Sequence, residues 1–276
     1  MSGTDGAARL ERTRAAFDSV AADYDGTRTS ALLRDMRADV WRYLEPRFAP
    51  GSRLLDIGCG PGEDAEHFAA LGHRVTAIDW SPRMVERARA RAAQPSLHGR
   101  LEALCLGAQQ LERLPGVATF DGAYSNLGPL NCVPDLQSVA AQCARLLVAG
   151  APLVMVVMGR WCPWEMVHYG LRGRWARIRV RFAPGGAEVG LNGHRVWTAY
   201  YTPGEVMRAF AREFEFVHCR GLALCAPPPY LTEFARRRPR TYQWLRGLDQ
   251  RFAGWPLLRQ LGDHFILHLR RRMDVP

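Results

Sequence analysis

Leu54-Leu55-Asp56-Ile57-Gly58-Cys59-Gly60-Pro61-Gly62 decides how the rest of this 276-residue chain is read, together with Asp79 at the end of the next apolar run. A short buried strand that ends in a glycine turn and opens a helix, with an acid roughly 20 residues on, is a nucleotide-type cofactor site in a doubly wound α/β sheet. The spacing narrows the cofactor. Glu63 stands where a dinucleotide fingerprint needs its third glycine, and Asp56 would set like charge against a pyrophosphate. A nicotinamide dinucleotide is therefore excluded, and a cationic, phosphate-free ligand fits.

S-adenosylmethionine, with an ammonium and a sulfonium, is such a ligand. At these residues the chain resembles the class I S-adenosylmethionine-dependent methyltransferases, in particular the small-molecule, type-11-like domains, whose first motif reads acid-x-Gly-x-Gly-x-Gly. The resemblance implies a cofactor site made by Asp56, Gly58, Cys59, Gly60 and Gly62, with S-adenosylhomocysteine as the product held there. Asp79 is placed to accept both ribose hydroxyls, and Trp80 to offer adenine a flat wall. The acid that relatives carry after the third strand is missing. In its place stand Ala108 and Gln109, whose amide could read the adenine edge, with Gln110 as an equal alternative.

The surrounding sequence alternates strand and helix. Ser30 caps a helix over Ala31 to Leu44; strands follow at Arg53–Ile57, Val75–Ile78, Leu101–Leu106, Phe120–Ser125 and Pro152–Met158. Ser81-Pro82 opens a helix, Asp135 to Leu147 forms another, and Thr202-Pro203-Gly204-Glu205 is a capping box. Late strands are expected at Phe214–Gly221 and Phe265–Arg270. The fold class is α/β, a Rossmann-like doubly wound parallel sheet. The resemblance implies seven strands in the order 3-2-1-4-5-7-6 with the seventh antiparallel.

A single domain over residues 1–276 is expected, with an N-terminal helical lid over 1–45 and cap insertions at about 160–201 and 222–263. In the first insertion Arg177-Ile178-Arg179-Val180-Arg181-Phe182 alternates basic and apolar residues, the period of a strand, and Asn192-Gly193 marks a hairpin turn. These read together as a helix plus an antiparallel meander. The second insertion runs through Pro227-Pro228-Pro229 into an Arg- and Trp-rich helical segment. The lid reading rests on a second resemblance, Phe17-x-x-x-Ala21-x-x-Tyr24-Asp25, a pattern found at the start of many small-molecule methyltransferases. There Tyr24 closes on the cofactor.

Ser125 and Asn126 open the loop after the fourth strand, at the carboxyl edge where open α/β sheets bind ligands. Asn131 lies further along it, and His168 follows the fifth strand. These two are the candidate catalytic residues, His168 because an imidazole suits removal of a proton near neutral pH. No metal-ligand spacing is present.

Net charge is +10, carried wholly by arginine among the basic residues, since no lysine occurs. A solvated arginine face over Arg177, Arg179 and Arg181 is the expectation. RNA methylation through that face is the alternative enzymatic reading, and a non-catalytic protein of the same fold a third. The seven cysteines form no C-x-x-C pair and are expected to be reduced. With no apolar run near the ~20 residues of a membrane span and a polar N-terminus, the chain reads as cytoplasmic. The leading expectation is methyl transfer to a small organic acceptor in specialised or quinone-like biosynthesis. The acceptor itself is the partner; nucleic acid and membrane are not expected, and a homodimer is left open.

Overall fold

The structure is a computed structural model that describes residues 3–22, 30–97, 99–191 and 193–273. Its centre is a seven-stranded sheet in the spatial order β3-β2-β1-β4-β5-β9-β8. The strands are β1 (Arg53–Ile57), β2 (Arg74–Asp79), β3 (Leu101–Cys105), β4 (Gly122–Ser125), β5 (Pro152–Met158), β8 (Phe214–Leu222) and β9 (His264–Arg271). The first five are parallel, and β9 runs antiparallel between β5 and β8. Counted within this sheet alone, β8 and β9 are its sixth and seventh strands, so the order is the expected 3-2-1-4-5-7-6. A separate two-stranded sheet pairs β6 (Ala187–Leu191) with β7 (His194–Thr198).

The apolar runs of β1 and β5 are continuous rather than alternating because helices cover both faces of a parallel sheet. Leu54 and Leu55 are both fully buried, yet they belong to the cores on opposite faces. Helices Leu136–Leu146 and Pro203–Phe210 close one face; Ala31–Leu44, Glu63–Ala70 and Pro82–Ala92 close the other. Their starts are fixed locally. Ser30 accepts from Leu33 N, Ser81 from Met84 N, and Asp135 from the amides of Gln137 and Ser138. Thr202 and Glu205 form the reciprocal capping box. Each such cap satisfies an otherwise orphaned amide and is worth about 0.5–2 kcal/mol.

Two features matter for the site. In a parallel sheet every strand ends at the same edge, which gathers Ile57, Asp79, Ser125 and Met158 there. Because β9 is antiparallel, its first residue reaches that edge too: His264 is in register with Met158 of β5 and with Leu222 of β8. The head of the last strand therefore enters the ligand edge from the opposite chain direction.

The first insertion differs from the expected meander. Trp175–Val180 is a helix, preceded by the helix Pro163–Gly170, and only β6 and β7 form a hairpin. In a six-residue run, alternation of Arg with Ile and Val also fits a single helical turn and a half whose faces are mixed. Arg177 and Arg179 are exposed here, whereas Arg181, four residues past Arg177, turns inward and is 5% exposed. The hairpin turn forms at Gly193, which has φ +86; Asn192 lies outside the described residues.

The N-terminal helix Gly3–Val20 lies over the hairpin and beside the helix Pro82–Ala92. Thr13 Oγ1 accepts from the backbone N–H of Trp197 at 3.2 Å. Asp18 accepts from Ser81 Oγ at 2.8 Å and Arg83 N at 2.9 Å, so it caps the neighbouring helix and ties the two together. Tyr24 and Asp25 lie outside the described residues. No helix among the described residues is long and apolar enough to cross a membrane.

Candidate active site

A cavity of about 450 Å³ opens along the carboxyl edge of the sheet, within the size range of small-molecule sites. At one end its wall is made by Gly58, Cys59, Gly60, Asp79, Trp80, Ala108, Gln109 and Asn126. These eight were all singled out in the sequence.

The glycine turn divides its labour. Gly60 has φ +53 and open space where a side chain would sit, and its N–H donates to Asp79 Oδ2 at 2.9 Å. Asp79 Oδ1 accepts from Ser81 N at 2.9 Å. Each carboxylate oxygen thus holds one amide and keeps capacity for a hydroxyl donor from the cavity. Burial raises the Asp79 pKa, and the amides of Ser81, Gly60 and Trp80 pull against it. Gly62 plays another part. A Cβ there would stand 2.8 Å from Ala88 Cβ, so this glycine admits the helix Pro82–Ala92 and does not reach the cavity. Gly58 is equally constrained, since a Cβ would meet the Pro129 ring at 2.2 Å.

Asp56 requires a correction. It is 1% exposed and lies behind the turn instead of on the cavity wall. Burial, and next the charge of Asp64, push its pKa well up, while Tyr124 and Arg37 work the other way. The acid that does reach the wall is Asp64, in the first turn of the helix after the glycines. Its Oδ2 accepts from Arg37 Nη1 at 2.6 Å; its Oδ1 accepts from Trp41 Nε1 at 2.6 Å and Asn126 Nδ2 at 3.1 Å. Arg37 also pairs with Glu63 at 2.9 Å. Asp64 and Arg37 went unread because nothing in an isolated helix position signals which way its side chain faces.

Ser125, Asn131 and His168 are corrected too. Ser125 Oγ donates to Ile57 O at 2.8 Å and ties β4 to β1. Asn131 is fully buried: its amide donates to Met158 O at 3.1 Å and Ala199 O at 2.6 Å, and its Oδ1 accepts from Met158 N at 2.8 Å. With its amide group spent on backbone, it fastens the loop and offers nothing to a substrate. His168 points away from the cavity and sits 3.2 Å from Arg172 Nη1. Gln110 closes its own turn by accepting from Gly107 N at 3.0 Å, which leaves Gln109 on the wall. Gln109 Nε2 and Asn126 Oδ1 are buried without partners.

At the other end of the cavity, Glu165 comes from the Trp161–Tyr169 segment expected to roof it, whereas Asp263 and His264 were not singled out and Arg181 was expected on a solvated face. Arg181 is central to this end. Its Nε donates to Glu165 Oε2 at 2.5 Å, its Nη1 to the carbonyls of Gly159 and Asp263 at 2.6 and 3.2 Å, and its Nη2 to Asp263 Oδ1. Tyr230 donates to Glu165 Oε1 at 2.7 Å, and the guanidinium lies 4.8 Å from the Tyr200 ring centre, a cation–π contact. Burial opposes the charge of Asp263, yet His264 and Arg181 hold its carboxyl well below the usual carboxylate range. His264 is 7% exposed, with Nδ1 2.9 Å from Asp263 Oδ2; this is a charge contact rather than an aligned hydrogen bond. Apolar side chains, among them Phe17, Met84, Leu127, Met158, Leu191 and Val196, line the space between the two ends.

Bound S-adenosylmethionine would suit the first end. The open cradle at Gly60, the largely buried Asp79 carboxylate on the cavity wall, the flat Trp80 and the two unpartnered amide atoms match a nucleoside. The wall carries the carboxylates of Asp64 and Asp79, and the amides of Gly58, Cys59, Gly60 and Gly62 are already bonded to carbonyls or to Asp79, which suits a cationic ligand over a phosphate.

Comparison with known proteins agrees with this geometry. Residues 54–150 match a methyltransferase domain family. The ubiquinone biosynthesis O-methyltransferase of Xanthomonas campestris pv. campestris is 38% identical over 132 residues, 46% of this chain and 51% of the relative. That of Methylocella silvestris is 31% identical over 189 residues, 66% of this chain and 67% of the relative. The chain thus spans about half the length of the former and two thirds of the latter. Among solved structures, a S-adenosylmethionine-dependent methyltransferase of Methanosarcina mazei has TM-score 0.58 at 21% identity, covering 84% of this chain and 98% of that one. The 1,6-didemethyltoxoflavin-N1-methyltransferase of Burkholderia thailandensis, solved with 1,6-didemethyltoxoflavin and S-adenosylhomocysteine, has TM-score 0.56 at 21% identity, covering 99% and 92%. The structures establish the fold, and the Methylocella relative establishes descent: the chain belongs to the class I S-adenosylmethionine-dependent methyltransferases.

Proposed function

We propose that this protein transfers a methyl group from S-adenosylmethionine to a small organic acceptor, in specialised or quinone-like biosynthesis. The observation that carries the reading is a single cavity with two unlike ends: a nucleoside-shaped wall at Gly60, Asp79, Trp80 and Gln109, continuous with an apolar chamber that ends on a buried polar cluster. A macromolecular acceptor would need an open groove beside the first end. Here the N-terminal helix, through Thr13 and Phe17, and the Pro229-Tyr230 turn lie over the space instead. Ser30 Oγ donates to Pro229 O at 2.9 Å and holds that turn against the helix Ala31–Leu44.

The cofactor supplies an electrophilic methyl on a cationic sulfur. The chain's residues supply alignment and dryness, which account for most of the acceleration of such a displacement. Asp79 fixes the ribose, Trp80 the adenine plane and Gln109 its edge, while Phe17, Met84 and Leu127 exclude water from the middle of the cavity. The lid role of the segment through Tyr24 belongs to the same proposal.

Calorimetry tests the reading. S-adenosylhomocysteine should bind with micromolar-scale affinity and NAD should give no heat; binding of NAD with none for S-adenosylhomocysteine would overturn it.

A further inference from the structure

We propose that His264 is the general base of this cavity, and that the acceptor is an uncharged molecule bearing an ionisable O–H or N–H on an apolar body. The proposal rests on the methyl-transfer reading above and adds a proton path and a substrate class to it.

The base follows from what the other groups on the wall are already doing. Both oxygens of Glu165 are taken, by Arg181 and by Tyr230. Asp263 is held ionised and paired to Arg181, too weak a base for a neutral hydroxyl. Burial pushes the Tyr200 phenol up to about 12, and burial with Glu165 drives Tyr230 still higher, so both remain protonated donors. Burial also lifts the Cys132 thiol to about 12. Asp64 holds Arg37, Trp41 and Asn126, and Asp79 serves the other end of the cavity. Among the described residues His264 is the one histidine on the wall. Its Nδ1 lies 2.9 Å from Asp263 Oδ2, so the carboxylate stabilises the imidazolium that forms when Nε2 takes a proton. Asp263 is a positioning residue in this scheme.

The substrate class follows from charge. The chain as a whole carries +10, yet the cavity wall sets three arginines against four carboxylates. None of the three is offered to a ligand as a lone cation. Arg14 is paired with Glu11, Arg37 with Asp64 and Glu63, and Arg181 with Glu165 and Asp263. A carboxylate or phosphate on the acceptor would enter a wall with surplus negative charge, in a site poor in water where such repulsion is least screened. An uncharged acceptor meets no such barrier. In the step, the acceptor's proton passes to His264 Nε2 and its freed electron pair forms the new bond to the methyl carbon. The carbon–sulfur pair stays on sulfur, leaving a neutral thioether.

Catechol and 3,4-dihydroxybenzoate, which differ by one carboxylate, serve as probes in single-turnover assays. The wild type is expected to methylate catechol, and to methylate 3,4-dihydroxybenzoate at least about tenfold more slowly. His264→Gln should bind S-adenosylhomocysteine within about twofold of wild type and lose about 100-fold or more in rate. Added imidazole should restore part of the rate in His264→Ala. A His264→Gln enzyme with the wild-type rate would overturn the base, and so would a folded His264→Ala enzyme that imidazole does not rescue. Faster transfer to the carboxylated probe, or no transfer to catechol, would overturn the substrate class. Absence of S-adenosylhomocysteine binding to the wild type would instead sink the reading on which the proposal stands.

Discussion

The two ends of the cavity are built on opposite principles. The cofactor end is mostly local: Gly58 to Asp64 is one turn-helix and Asp79 to Ser81 the next, and these ten residues hold five of the eight wall residues, with Ala108, Gln109 and Asn126 added from the following two loops. The acceptor end is assembled from Glu165 and Arg181 in one insertion, Tyr230 in another and Asp263-His264 at the head of the last strand, contacts that span up to 82 residues of chain. The local end relies on backbone amides and glycine conformations, whose requirements are written in residue type. The assembled end relies on a buried ion pair, which any surface arginine and acid could have formed. Chemistry shared across a family can be held by the first device; discrimination between acceptors can change through the second without disturbing it.

The sharpest way to break this contrast is Arg181→Met. Removing one member of a buried pair leaves Glu165 and Asp263 without their counter-charge, a loss of about 3–5 kcal/mol in typical cases. Urea unfolding of the variant should show a fall of that order. The folded protein holds Asp263 well below its usual range and Arg181 well above its own, the latter despite burial and because of Asp263 and Glu165. The Asp263 contribution is therefore complete above the ordinary carboxylate pKa and is lost progressively as pH falls from there toward the depressed folded value. Wild type minus Arg181→Met stability should stay nearly constant between about pH 5 and 8. A loss under 1 kcal/mol would mean the acceptor end is not organised by this pair.

Asp79→Ala probes the other end. Loss of charge-assisted hydrogen bonds to the ribose should weaken S-adenosylhomocysteine binding by roughly 1.5–3 kcal/mol for each bond lost. Because burial raises the pKa of the free protein's Asp79, acid conditions protonate it before binding. Wild-type affinity is thus complete above the raised value and declines as pH falls through it, whereas Asp79→Ala should lack that dependence. Calorimetry over a pH series decides; equal affinity for both proteins would remove Asp79 from the site.

Gly62→Ala tests whether two glycines of one motif do different work. The added methyl presses on Ala88 from a left-handed backbone, and overpacking of this kind costs about 1–3 kcal/mol. Thermal unfolding should register it while S-adenosylhomocysteine affinity per folded molecule holds. A variant of full stability that binds poorly would return Gly62 to the cofactor.

These contrasts also mark what sequence could tell. The order of the seven strands, the helix starts at Ser30, Ser81, Asp135 and Thr202, and the wall from Gly58 to Trp80 were legible, because caps, glycine turns and apolar runs state backbone requirements directly. Asp56 near the end of β1, Ser125 at the end of β4 and Asn131 in the loop that follows were placed at the right edge of the sheet, but their side chains face elsewhere: one residue along a strand or turn reverses the face, and spacing alone does not fix that choice. Arg181 was misread because a period-2 pattern over six residues is too short to distinguish a strand from a short helix. His264 carried a usable signal. An Asp-His pair at the head of an antiparallel last strand must arrive at the same edge as the ends of the parallel ones.

The smallest expected effect belongs to the arginines beside Arg181. Arg177 and Arg179 are exposed on the helix Trp175–Val180, and neither lines the cavity. The double variant Arg177→Glu/Arg179→Glu should therefore shift stability by no more than about 0.5 kcal/mol, the ordinary range for surface substitutions. S-adenosylhomocysteine affinity and catechol turnover should hold as well. The same variant separates a small acceptor from RNA. Were these arginines phosphate contacts, RNA affinity would fall with salt at a slope of about −0.7 per contact on single strands, and charge reversal would abolish it. Arg181 could take no part in such contacts, since its guanidinium is spent on Glu165, Asp263 and Gly159. The expectation is weak, unspecific retention of RNA at low salt, alike in both proteins, with methyl transfer unaffected. A tight, salt-sensitive RNA complex that disappears in the double variant would move the acceptor from the enclosed cavity to the exposed face of the first insertion.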